Sequence, residues 1–410
     1  MNDGKMKILY LCADSGIPFW SFKGGSIHMR EIVSCFAGKH CNVTVVARDA
    51  SRSAGGDLDF SVYDLPEVTD DRMLPTLNQL LDDERILREF EDLHRNPAIE
   101  NLLESIQKSE GPFDIIYERY SLFNIAGLNF GKKYNIPFML EVNAPLIREA
   151  LKYRHITLSH IASAVGKSLF SNSTHIIAVS NELRDFISSK SPKAAVSVVP
   201  NGVRIDHFSS GNESPGDKTG DGGFTIAFLG SLKPWHGVEI LIDSFARVLK
   251  EDGDCRLLII GDNKKRDDGL AKRCRDLEVD DKVTFTGALD YDDVPGRLRQ
   301  ADVLVAPYPQ VDGFYFSSLK VFEYMAAGKA IVASNIGQLS RILLHEKTAL
   351  LVPPGDIVSL GRALIKLKRD PGLRRRLGER AQLEARRRHT WSQRADIILE
   401  IARKLKAGRP

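Results

Sequence analysis

FTIAFLGSLKPWHGVEILIDSFARVLKEDGDCRLLII, residues 224–260, reads as strand, loop, helix and strand in succession. Phe224–Leu229 is a short apolar run closed by Gly230, and Arg256–Ile260 is a second such run. Between them Val238, Leu241, Ile242, Phe245 and Leu249 recur at helical spacing, which places one apolar stripe on a helix over Val238–Leu249. Apolar runs joined through a helix of that length pair parallel in one sheet, since a hairpin needs no such crossover. Neither run alternates apolar with polar, so both faces of the sheet are expected to be covered.

The same alternation extends in both directions. Downstream, Val283–Thr286, Val303–Ala306, Ala330–Ala333 and Leu350–Val352 read as strands. Upstream, so do Lys7–Cys12, Val43–Ala47, Ile115–Tyr117, Phe138–Val142, Ile176–Val179 and Val196–Val199. A helix is expected from about Ser26 to Ala37, and a charged, leucine-bearing one over Leu77–Ile106. Only Ser209–Gly223 (SSGNESPGDKTGDGG) breaks the pattern; with no large apolar residue it reads as a flexible linker. The fold expected is therefore α/β, with two doubly wound domains at 1–208 and 224–385 and a linker at 209–223. A C-terminal helix over 386–410 is expected to pack back on the first domain. Ligands of such sheets lie beyond the carboxyl ends of the strands, so a central cleft faced by both domains is the expected site.

Composition narrows the function. The chain has 410 residues, 43% of them hydrophobic, which suits two globular domains and excludes disorder for the bulk of it. No apolar run spans a bilayer and no signal-peptide pattern opens the chain, so a cytoplasmic location is expected. Five scattered cysteines without a C-x-x-C pair point to reduced thiols, not a disulfide frame or structural zinc. A net charge of +3 is too small to imply nucleic acid. Arg374–Arg376 and Arg386–Arg388 concentrate positive charge near the end, and weak peripheral contact with an anionic membrane at its inner face is one reading. The plainer one is a solvated helical face.

Several motifs fail on inspection. Gly166-Lys167-Ser168 resembles the end of a phosphate-binding loop, but Ile161 stands where its first glycine belongs. The first strand is not followed by G-x-G-x-x-G, and neither H-E-x-x-H nor G-x-S-x-G occurs. Asp290-Tyr291-Asp292 spells a metal-holding D-x-D, yet it lies between a strand and a helix, where an aspartate serves as N-cap. No metal site and no cofactor are expected.

The chemistry concentrates in Asp312–Ser334, DGFYFSSLKVFEYMAAGKAIVAS. Ser317 or Ser318 is a suitable N-cap and Gly328 a suitable residue past the C-terminus of a helix of little more than two turns. Leu319, Lys320, Glu323 and Ala327 share one side. Free amides at the positive end of a helix suit an anionic diphosphate. Lys320 adds a mobile charge for phosphate, and Glu323 can accept hydrogen bonds from a ribose diol. The competing reading is an exposed Lys–Glu pair with no role beyond the helix.

This stretch resembles the signature segment of family 4 glycosyltransferases, retaining enzymes of the GT-B fold with two Rossmann-like domains. Four further segments match in order: Gly24-Gly25 at the first helix, Ile176–Glu182 with Val199–Phe208, Gly230–Gly237, and Leu257–Asp262 with Val283–Ala288. The resemblance runs from Lys7 to about Trp391. It implies a hexosyltransferase that moves a sugar from a nucleotide-sugar, UDP- or GDP-linked, to an acceptor hydroxyl. The donor would be a co-substrate, and the N-terminal domain would hold the acceptor, a glycan, a lipid-linked sugar or a small molecule.

Residue by residue, Glu323 matches the ribose-holding second acid of the family's Glu-x7-Glu pair. Ser318, Leu319 and Lys320 match the phosphate cradle, and Ala288 and Leu289 would meet the base. Gly24 and Gly25 are implied on the donor side. The first acid falls on Tyr315, eight residues before Glu323, and Asp312 is the candidate substitute. The family's Arg and Lys after the linker are Ser231 and His236 here, with Lys233 the candidate for the missing charge. Lys320, Lys233 and His236 are accordingly the catalytic candidates. Asn143, where many relatives carry a histidine, and His28 are the acceptor or sugar candidates; the competing reading of Asn143 is a residue that closes a turn before Pro145. With no carboxylate pair spaced for double displacement, front-face attack without metal is expected. The alternatives are a GT-B epimerase or phosphorylase, or a nucleotide-sugar binder that has lost catalysis.

Overall fold

The computed structural model of the chain describes residues 4–51, 58–68, 83–153, 155–209, 223–261 and 268–408. It divides into two compact units: Met1–Pro200 with Trp391–Pro410, and Asn201–Thr390.

In the first unit, β1 (Met6–Cys12), β2 (Cys41–Ala47), β3 (Ser61–Asp64), β4 (Ile115–Arg119), β5 (Phe138–Val142), β6 (His175–Ala178) and β7 (Val196–Val198) form one sheet. Their order is β3-β2-β1-β4-β5-β6-β7, and every neighbouring pair is parallel. Leu9, Tyr10, Leu11 and Cys12 of β1 are fully buried, as a strand covered on both faces requires. The order reverses between β1 and β4, which makes their carboxyl ends the place for a site. Strand β3 was not expected: its four residues, Ser-Val-Tyr-Asp, lie at the sheet edge, where partial exposure leaves little apolar pattern.

The first helix spans Gly24–Gly38, two residues earlier than Ser26. The long helix spans Glu84–Glu110; it starts where the Asp83 carboxylate accepts from the Arg85 amide and stops at Gly111, with φ of 82°. Its expected start at Leu77 lies outside the described residues, as does most of the expected linker.

In the second unit, β8 (Phe224–Leu229), β9 (Cys255–Ile260), β10 (Val283–Gly287), β11 (Val303–Ala306), β12 (Ala330–Ser334) and β13 (Leu350–Val352) are ordered β10-β9-β8-β11-β12-β13. This sheet too is wholly parallel. Helix Val238–Glu251 buries Val238, Leu241, Ile242 and Phe245, while Leu249 is only partly covered. Each large side chain so buried stabilises by about 1.5–3 kcal/mol, which outweighs any propensity in holding the helix there.

Helix Pro371–Arg388 buries Leu373, Leu377, Ala381 and Ala385 and carries both arginine runs. Much of that charge is engaged within the unit. Arg374 donates to the Leu367 and Lys368 carbonyls and lies 3.5 Å from Asp302. Arg388 reaches Glu384 at 3.4 Å. The last helix, Trp391–Ala407, starts beyond His389, not at 386, and belongs with the first unit, where Trp391, Ile398 and Leu399 are buried. Among the described residues no helix is long and apolar enough to cross a membrane.

Candidate functional site

Helix Leu319–Ala326 carries the second unit's site. Ser318 takes the N-cap position, but its hydroxyl makes no cap bond. It pairs instead with the Tyr308 hydroxyl at 2.7 Å, and the Ser334 hydroxyl donates to the Tyr308 carbonyl. Ser317 is held by Asn201, whose amide N–H donates to Oγ at 2.9 Å and whose Nδ2 donates to the carbonyl. Both serines are therefore fixed while the cap hydroxyl stays away from the helix amides. That leaves the first turn available to an anion.

Lys320 is not the mobile charge expected from sequence. It is 92% buried, its Nζ lies 4.1 Å from the centre of the Phe228 ring and 5.5 Å from that of Tyr308, and among the described residues it has no hydrogen-bond partner. Gly230, with φ of 135°, makes the space: a Cβ there would sit 2.6 Å from Nζ. Burial drives the Lys320 pKa down to about 7, and the nearby Glu323 carboxylate only partly opposes this. An unpaired buried ammonium is costly in the empty protein, and a diphosphate would supply the missing partners. Glu323, also buried, stands one turn further on.

His236 borders the same space, 5.9 Å from the Tyr308 ring and 6.4 Å from Phe228. Its Nδ1 is 2.5 Å from the Ser231 carbonyl. Burial, then the charge of Lys320, holds its pKa at about 3, so it is neutral at pH 7, donates from Nδ1 and leaves Nε2 as an acceptor. Gly237 behind it has φ of 72°, and a Cβ there would collide with the Pro307 carbonyl.

The other candidates on this unit are less gathered. Lys233 is exposed, with Nζ 5.6 Å from the Trp235 ring. Ala288 is exposed and Leu289 partly buried past the end of β10. Asp312 is exposed, without a hydrogen bond to another described residue, ahead of the packed rings of Phe314, Tyr315 and Phe316. Asp290 takes the expected cap position, but its carboxylate makes no cap bond; only its carbonyl accepts, from Asp293. Among the described residues no three His, Cys, Asp or Glu are grouped to hold a metal.

In the first unit the carboxyl ends of β4 and β5 meet the first helix around Glu141. His28 Nε2 and the Tyr117 hydroxyl each lie 2.8 Å from Glu141 Oε1. Asn143 Nδ2 and Arg119 reach Oε2 at 3.1 and 3.4 Å. Burial alone would raise the Glu141 pKa, but His28, Arg119 and the Tyr117 hydroxyl outweigh it and hold the carboxyl at about 2. Trp391 packs edge-on against His28, ring centres 4.8 Å apart. Gly24 and Gly25 open the helix that brings His28 here, and Gly25 lies close under Ile17 and Arg119. Asn143 thus donates to the Glu141 carboxylate from the loop that follows β5.

Sequence reasoning missed Glu141, Arg119 and Tyr117. The signal was present, since a carboxylate inside a strand buried on both faces has to be paired. Glu118 is the instructive exception. It is fully buried, its Oε2 has no hydrogen-bond partner among the described residues, burial raises it to about 8, and Asn124 works against that.

Two wholly parallel doubly wound sheets, with a buried lysine behind a helix start in the second, define a protein of the GT-B class. A family model described as Glycosyltransferase Family 4 matches residues 22–207, and one described as Glycosyl transferases group 1 matches residues 223–370. The chain belongs to the family 4 glycosyltransferases. It is 34% identical over 204 residues to phosphatidyl-myo-inositol mannosyltransferase of Mycobacterium leprae, a match covering 50% of this chain and 52% of that one. The chain thus spans about half the length of that curated relative. Sucrose-phosphate synthase from Thermosynechococcus elongatus superposes over 98% of this chain and 100% of its own, with TM-score 0.76 and 18% identity. Anabaena HepE, solved in complex with UDP-glucose, does so over 97% and 100%, with TM-score 0.67 and 17% identity. These two likenesses show the fold.

Proposed function

We propose that the chain transfers a sugar from a nucleoside diphosphate sugar to an acceptor hydroxyl, with the anomeric configuration of the donor kept. The observation that carries this reading is the Lys320 ammonium, buried without a hydrogen-bond partner among the described residues beside the start of helix Leu319–Ala326, where no side chain caps the amides. That pair of features suits a diphosphate, whose negative charge grows as the sugar leaves. Glu323, the matched second acid, is assigned to the ribose. Lys233 and His236 border the phosphates or the sugar, Ala288 and Leu289 the base, and Asp312 remains the substitute for the acid absent at Tyr315. His28 and Asn143, braced by Glu141, are assigned to the acceptor.

UDP- and GDP-sugars are the donors favoured, the former because HepE was solved with UDP-glucose. A polyol or lipid-linked acceptor is supported by the name of the mannosyltransferase relative. In the step itself the bond from the anomeric carbon to the departing phosphate oxygen breaks as the acceptor oxygen bonds to the same face. The departing oxygen takes the acceptor's proton. Lys320 and the helix amides stabilise the diphosphate, and orientation supplies the rest.

Proton NMR of the first-formed product, with and without chelator, tests the reading. The donor's anomeric configuration is expected in the product, and EDTA is expected to leave most turnover intact. An inverted linkage, or turnover that EDTA abolishes and Mg²⁺ restores, contradicts it.

A further inference from the structure

The strand order of the second unit reverses between β8 and β11, and there the two strands part early. Their register pairs Val303 with Ile226 and Leu304 with Ala227 and goes no further. Continued by one residue, it would set Val305 opposite Phe228. The slanted bonds of a parallel pair would then join the Leu229 amide to the Val305 carbonyl. The Gly230 amide is engaged on the other side, by the Ile260 carbonyl of β9. Between Leu229 and Val305 stands the Tyr324 hydroxyl, which accepts from the amide at 2.8 Å and donates to the carbonyl at 3.2 Å. Tyr324 is fully buried, and burial lifts its pKa well above the ordinary phenol value, so the hydroxyl keeps the proton it donates.

Past this hydroxyl the two strand ends become the walls around Lys320 Nζ. β8 supplies the Phe228 ring at 4.1 Å and then Gly230, where a Cβ would sit 2.6 Å from Nζ. β11 runs on to Tyr308, whose ring centre lies at 5.5 Å. A direct bond would draw the Leu229 nitrogen and the Val305 oxygen to about 2.9 Å, and the strand ends with them. Lys320 and Tyr324 stand four residues apart on helix Leu319–Ala326, so the side chain that parts the strands and the one seated between them share a face.

We propose that Tyr324 is a positioning residue for the donor: its hydroxyl wedges β8 from β11 and so seats the Lys320 ammonium for a diphosphate. This rests on the reading of the site as one for a nucleoside diphosphate. Tyr324 acts only through Lys320, and the base and ribose are outside its reach. Tyr324→Phe keeps the ring in the core and removes the wedge alone.

Calorimetric titration with UDP, uridine, GDP and guanosine tests this on the full chain as wild type, Tyr324→Phe, Lys320→Met and the double variant. Thermal melts establish that each is folded at the titration temperature. Tyr324→Phe is expected to bind the preferred diphosphate about tenfold more weakly, the lower value of a charge-assisted hydrogen bond, with nucleoside affinity unchanged. In the Lys320→Met background the same substitution is expected to change nothing further, because the interaction it adjusts is gone. Unchanged diphosphate affinity in Tyr324→Phe overturns the proposal. Equal losses for nucleoside and diphosphate do so too, since they mark a general loosening of the unit. So does a loss that persists in the Lys320→Met background. A wild type without preference for diphosphate over nucleoside ends the reading of the site itself, and this proposal with it.

Discussion

Lys320→Met is expected to lower kcat by roughly 100- to 1,000-fold while raising the stability of the ligand-free protein at neutral pH. The first effect follows from removing one preorganised donor to a developing negative charge, about 2.7–4 kcal/mol. The second follows from the burial that depresses the Lys320 pKa from 10.5 to about 7. An unfolded lysine keeps its proton to about pH 10.4, so between the two values the unfolded chain binds the extra proton and stability rises with pH. Below pH 7 the folded protein carries the whole cost of the buried ammonium. Methionine fills similar space without the charge, so the variant is expected to gain on the order of a few kcal/mol at pH 6–7 and little at pH 10. Denaturant melts across this pH range, beside single-substitution kinetics, check both halves. A variant that is less stable at pH 6.5, with kcat unchanged, removes Lys320 from the site.

Glu323→Ala is expected to act differently although it lies one turn away. Contacts to a ribose are the same in ground and transition states, so their loss weakens binding without slowing the chemical step. A charge-assisted hydrogen bond contributes about 1.5–3 kcal/mol, hence donor KM is expected to rise roughly 10- to 150-fold with kcat nearly preserved. Initial rates at saturating acceptor decide it. Loss of kcat at unchanged KM makes Glu323 a catalytic group and ends the ribose assignment.

The parallel α/β architecture was legible because buried strands such as Val303–Ala306 and Leu350–Val352 are continuous apolar runs. Strand β3 was not, because an exposed edge needs no such run. The helix face that joins Lys320 to Glu323 could be read from spacing, being local. What Lys320 does there could not, because Phe228, Gly230 and Tyr308 reach its Nζ from other strands' ends. The same holds for Glu141, whose partners come from the first helix and from β4. Local pattern named the charges; only the fold showed which of them are buried, and so which are poised for an anion.

Calorimetric titration with a nucleoside and its diphosphate, on wild type and Lys320→Met, tests the central claim most directly. Thermal shifts against UDP, GDP, ADP and TDP first select the base, since ligand at ~100 times Kd stabilises by about 2.7 kcal/mol. The preferred diphosphate is expected to bind wild type far more tightly than its nucleoside, and to lose that advantage in Lys320→Met. Equal affinity for nucleoside and diphosphate, or a diphosphate advantage that survives the substitution, contradicts the account.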